Sequence, residues 1–254
     1  MDGMKDWLFP STQIGALIRF RPLSLDLFYR RGLDPWSEQE ASVSDFCRLH
    51  ALNENGFLRN LADLPPVDPG THWEEQPCYH LIDYLTDEHR TIMHTDIPAI
   101  RYLLDMGFPE AEGTGTVFRT LTKSIGDFTD QLRVHFRQEE ENIFPIMLAN
   151  DFRFTFRPPF EEPHPPAWSL HVSGRLLEEE ERLKGTLDAF MDCAGLSGGS
   201  RGETSSSKAY LSVAWLMKTM GAKLRAHSRL EMEVLFPIAS RVERELLSVV
   251  PARA

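Results

Sequence analysis

Cysteine is scarce in this chain: Cys47, Cys78 and Cys193 are the only three in 254 residues. They are too few and too scattered for a disulfide framework or a thiolate metal site, as befits reduced thiols. Long apolar runs are missing too, and none approaches the roughly 20 residues that span a bilayer. The start, MDGMKDWLFPSTQ, lacks the basic-then-apolar order of a secretory signal, so the expected location is the cytoplasm and no membrane partner is expected. Positive charge falls short as well: 27 Lys and Arg face 38 Asp and Glu, a formal net charge of −11. Without a compensating basic stripe, nucleic acid is a poor partner. No P-loop or Cys-x-x-Cys pattern occurs, and the Gly/Ser-rich SGGSRGETSSS (197–207) reads as a flexible loop, which leaves nucleophilic catalysis little support. Strand signals are equally thin. FRFTF (152–156) alternates, but it stands alone, and an unpaired strand is not stable.

What the chain has in quantity is helical periodicity. With 42% hydrophobic and 26% charged residues it can bury one or two real cores. Residues 11–64 read as a small helical domain, with Thr12 and Ser24 as N-caps and Gly32 as a stop. PPVDPGTHWEEQP (65–77) carries four prolines and one glycine and reads as an extended linker. Residues 78–250 hold four long helical stretches, with breaks at 107–115, 150–165 and 194–207. The expected fold class is all-α, an up-down four-helix bundle behind a small helical domain.

Two of these stretches carry the chemistry. In the second, the inward positions are Phe118, Leu121, Ile125, Phe128, Leu132, His135 and Glu139, then Asn142 or Ile143, then Ile146. In the fourth they are Tyr210, Val213, Met217, Met220, Leu224, His227 and Glu231, then Val234 or Leu235, then Ile238. Each apolar stripe turns ionisable at the same point. A lone His and Glu four apart is ordinarily a surface pair. Here HFRQEEENIFPI (135–146) and HSRLEMEVLFPI (227–238) agree at seven of twelve positions, which reads as an internal duplication giving each half of one site. Buried imidazole and carboxylate cost several kcal/mol unless paired or bound to metal, and one helical turn between them lets both reach one spot.

The first and third stretches should then each add a histidine. His89 lies in phase with Leu81, Ile82, Leu85, Ile92, Met93, Ile100 and Leu103, whereas His80 and His94 lie off that face. In the third stretch His171 is the candidate, although Leu176, Leu183, Leu187 and Phe190 point away from it on an ideal helix. The expected ligand set is His89, His135, Glu139, His171, His227 and Glu231. Four imidazoles and two carboxylates without thiolates suit two octahedral ions, iron first and manganese second, and argue against structural zinc. The expected cofactor is two non-haem iron ions with an oxo or hydroxo bridge.

The motifs E-H-R (88–90), H-x-x-x-E-E…F-P (135–145) and H-x-x-x-E…L-F-P (227–237) resemble the hemerythrin-like HHE family. The whole chain is similar to the repair-of-iron-centres (RIC) di-iron proteins, whose short N-terminal domain is matched here by I-G-A-L-I…P…L-F-Y-R-R-G-L-D at 14–34. The resemblance implies a hemerythrin-like bundle that repairs or protects iron-sulfur proteins under oxidative or nitrosative stress, by iron donation or nitric oxide chemistry. The alternative it implies is a dioxygen- or nitric oxide-binding sensor. Partners would be iron-sulfur proteins or those gases, and a homodimer is compatible with either role. Two departures stand out. Where the family has adjacent cysteines, this chain has Pro35-Trp36-Ser37. Where the family has a further ligand histidine between the positions of His89 and His135, only His94 is present, leaving His94, Glu110, Glu112 or water to complete the second iron.

Overall fold

The computed structural model describes residues 8–65, 67, 72–106, 115–156, 181–189, 191 and 208–248. Among them every regular element is helical and there is no strand. Extended backbone pairs only in an isolated antiparallel bridge, Gln13 to Ser42. The helices are α1 (Ile14–Phe20), α2 (Leu25–Tyr29), α3 (Val43–Leu49), α4 (Glu54–Ala62), α5 (Cys78–Thr91), α6 (Ile97–Asp105), α7 (Gly115–Gln138), α8 (Phe144–Phe156), α9 (181–189), α10 (Lys208–Leu230) and α11 (Phe236–Ser248). FRFTF is the last turn of α8, not a strand. Its Phe152 is buried and packs on Tyr29 at a ring separation of 5.2 Å.

The chain clusters into two compact units. The first combines the N-terminal residues through Thr86 with 140–167 and 235–254. Its core sets Phe28 edge-on against Phe46 and Phe57, at 5.2 and 5.5 Å, and α8 packs along α11. Ser24 does hold the N-cap position of α2, while the N-cap of α1 is Gln13 rather than Thr12. Ser24 is itself helical and makes no cap bond, and the Thr12 hydroxyl accepts from the Phe9 N–H at 3.0 Å. The capping oxygens belong to Ser42, which accepts from the Asp45 N–H, and Asn53, which accepts from the Gly56 N–H. Gly32 does end its segment, at φ 64°, a left-handed turn that glycine adopts without strain. A buried ion pair, Arg21 with Asp83, ties the α1 end to α5. Asp83 also accepts from the Leu23 N–H at 3.0 Å, and Arg21 donates to the Pro65 carbonyl at 2.8 Å. The segment read as a linker thus supplies an acceptor for a buried guanidinium, and its Trp73 is itself buried.

The second unit combines Asp87–Glu139 with Trp168–Val234. Its core joins Ile92, Ile97 and Ile100 to Leu121, Ile125 and Phe128, with Leu183 and Leu187 from α9 and Val213, Met217 and Met220 from α10. Ile92, Ile100, Leu121, Ile125, Phe128, Val213, Met217 and Met220 are inward positions read from the periodicity, and Ile97 is not among them. Trp215 is 64% exposed, because it falls between the inward positions 213 and 217.

Candidate metal centre

Among the described residues, three five-residue π-helical turns punctuate the long helices: Ile92–Asp96, Glu139–Ile143 and Glu231–Leu235. Each lies beside a site residue. The first follows His89 by three positions, and the other two begin on Glu139 and Glu231. Wider turns of this kind gather at functional positions, because they re-aim side chains within an otherwise regular helix. They also move the stripe. Beyond Glu139 the buried residues include Ile143, Phe144, Met147 and Leu148, and beyond Glu231 they include Leu235, Ala239 and Val242. Ile146 and Ile238, expected inward on an unbroken period, are half-buried. One extra residue per wide turn accounts for both slips.

The site is built inside the second unit. His89 Nε2 lies 3.1 Å from His227 Nε2 and 3.4 Å from Glu139 Oε2. The other oxygen of Glu139 lies 3.1 Å from His135 Nε2, and Glu231 Oε1 lies 3.3 Å from His227 Nε2. One ligand atom each from His89, Glu139, His227 and Glu231 fall within 4.8 Å of one another. Metal bonds to imidazole nitrogen and carboxylate oxygen run about 2.0–2.2 Å, so donors on opposite sides of one ion stand about 4.2 Å apart. The cluster has the dimensions of a coordination sphere.

All five side chains are buried, and Glu139 and Glu231 have no exposure at all. Neither oxygen of either carboxylate meets a donor in hydrogen-bond geometry. A buried carboxylate left so is costly, and a cation among nitrogen and oxygen donors removes the cost. Burial, and then the neighbouring Glu231, push the Glu139 carboxyl well above the ordinary range. Burial, then His227, His135 and Arg90, push His89 well below the usual imidazole value. A bound cation reverses the charge logic for both groups by favouring carboxylate and neutral imidazole together. The buried His/Glu cluster could therefore hold a metal ion.

No family model matches the chain, and no curated protein matches it.

Of the six residues expected as ligands, His89, Glu139, His227 and Glu231 converge, and His135 reaches the far oxygen of Glu139. His171 lies outside the described residues, as do Glu110 and Glu112. His94 is exposed and His80 half-buried, in keeping with their off-face phase. Sequence reading missed Phe136. Its ring lies flat on His89, with centroids 3.8 Å apart and planes 12° apart, and it stands 5.8 Å from the His227 ring. The repeat gives no hint of it, since Ser228 occupies the matching position.

Proposed function

We propose that this chain is a non-haem di-iron protein of the hemerythrin-like kind, in which the four helical stretches form an up-down bundle around the site, and that it repairs or protects iron-sulfur clusters. The observation that carries the metal part is the two-sided engagement of Glu139, whose separate oxygens face His89 and His135. A carboxylate placed so would serve as a ligand to a metal ion on either side of it. The cluster-repair part rests on the duplicated H-x-x-x-E…F-P motif and its resemblance to the RIC proteins.

His89 and His135 would each meet one ion beside Glu139, and His227 and Glu231 would complete the shared face. Two carboxylates cancel two of the four charges of a diferrous pair, which leaves room for an oxo or hydroxo bridge and an exogenous ligand. Phe136 covers the His89 imidazole and excludes water from that side. When bound, such an iron pair supplies one-electron redox chemistry, open positions for a gas, and transferable metal.

The test is metal analysis of protein purified without a metal-affinity tag, together with an absorption spectrum. About two irons per chain are expected. Glu139→Ala and Glu231→Ala should release metal and His94→Ala should keep it; equal retention in all three refutes the ligand assignment. Mixing the iron-loaded protein with an inactivated iron-sulfur enzyme should restore that enzyme. A ligand-dependent absorption change without restoration would point to gas binding instead.

A further inference from the structure

A cleft of about 520 Å³ opens beside the metal position. Its walls include Phe128, Leu132, Leu183 and Leu187, and the imidazoles of His135 and His227 stand in the same lining. A water molecule takes about 30 Å³ of liquid volume, and a diatomic gas is of comparable size, so the cleft exceeds what a gas needs by more than tenfold. Apolar clefts of about 300–1,000 Å³ are the class that holds organic molecules. The exposed charged residues of the lining are Lys184, Arg225 and Arg229 with Glu181 and Glu233, so cationic side chains stand where an anion would enter. Lys184 meets Glu181 at 3.5 Å and Arg225 meets Asp188 at 3.9 Å, both in exposed pairs. Such pairs hold their members weakly and exchange them readily for a bound anion.

Resting on the metal reading above, we propose that this cleft is the binding compartment of the centre for an organic carboxylate with an apolar body, in its simplest form a fatty acid. The body lies along Leu132, Leu183 and Leu187, and the carboxylate meets Arg225 and Lys184. A gas alone leaves those walls without a partner. A neutral hydrocarbon leaves those cations without one.

Dodecanoate is the probe. Titrated by calorimetry into the iron-loaded full-length chain, it should bind saturably and shift the iron absorption, since two iron ligands stand in the wall. Leu187→Trp, which fills the cleft from α9, should weaken binding tenfold or more with iron content unchanged. Because Leu187 is buried, a surface variant guards the test: Arg225→Glu should weaken dodecanoate tenfold and leave dodecanol unaffected. Absence of saturable binding to the iron-loaded chain, wild-type affinity in both variants, or dodecanol binding as tightly as dodecanoate each overturns the proposal. Dodecanoate binding to a chain that takes up no iron would support the compartment while removing the metal reading. An iron-loaded chain that ignores dodecanoate removes the compartment alone.

Discussion

Phe136 lies on His89 closely enough to fix the plane of the imidazole, and with it the direction of Nε2 toward Glu139 and His227. Groups that orient a metal-bound histidine typically govern affinity by 10–100-fold. Phe136→Leu keeps an apolar side chain and removes the flat contact, so iron(II) affinity in a chelator competition should fall by about tenfold or more. Unchanged affinity would show that the backbone alone orients the ring. Asp151 offers a pH test away from the metal. Burial raises its carboxyl to about 6, opposed by a hydrogen bond from Cys78. The folded chain therefore keeps a proton that the unfolded chain gives up at lower pH. Stability is fully present below about pH 4 and is lost as pH rises to about 6, by a total of about 3 kcal/mol. Asp151→Asn should remove that slope and raise the denaturation midpoint at pH 7. Parallel profiles for the two proteins would contradict it.

At the scale of elements, the wide turns decide where side chains point. Deleting Asn142, an exposed residue of the Glu139–Ile143 turn, should restore an ordinary α-helical turn while leaving Ile143 and Met147 inward, now three and seven positions after Glu139. The variant should keep its circular dichroism spectrum and lose much of its iron. Full iron retention would assign the wide turn no part in the site. The Arg21–Asp83 pair makes a separate test, since Asp83→Ala leaves a guanidinium buried without its counter-charge. The expected cost is about 3–5 kcal/mol in denaturant unfolding.

The same elements show what the sequence displays and what it hides. His135 with Glu139 and His227 with Glu231 were legible because each pair interrupts an apolar stripe at an identical register. His89 followed from phase alone. The slips to Met147 and Ala239 were hidden because a π-helical turn has no composition of its own and shows only as a period off by one. Phe136 and Asp83 were hidden for another reason: each answers to a partner distant in the chain, and one sequence carries no record of such pairings.

At the scale of the molecule, His89, His135, Glu139, His227 and Glu231 all fall within the second of the two compact units. A ligand that binds only the folded state adds stability where it binds, about 2.7 kcal/mol at a hundredfold excess over its dissociation constant. Iron loading should therefore slow amide exchange most across 87–105, 120–139 and 211–234, and least in α1 to α4. Uniform slowing over the whole chain would mean that the two units open together.

Two carboxylates shut away from solvent have a consequence beyond chemistry. With the metal proposed above, they would tie the lifetime of the chain to the supply of the ion that neutralises them. When that supply runs low, more molecules sample the open form on which proteases act, and a shift of 1–2 kcal/mol changes cellular abundance several-fold. The amount of this protein would then follow the iron status of its cell, without a regulator that senses iron separately.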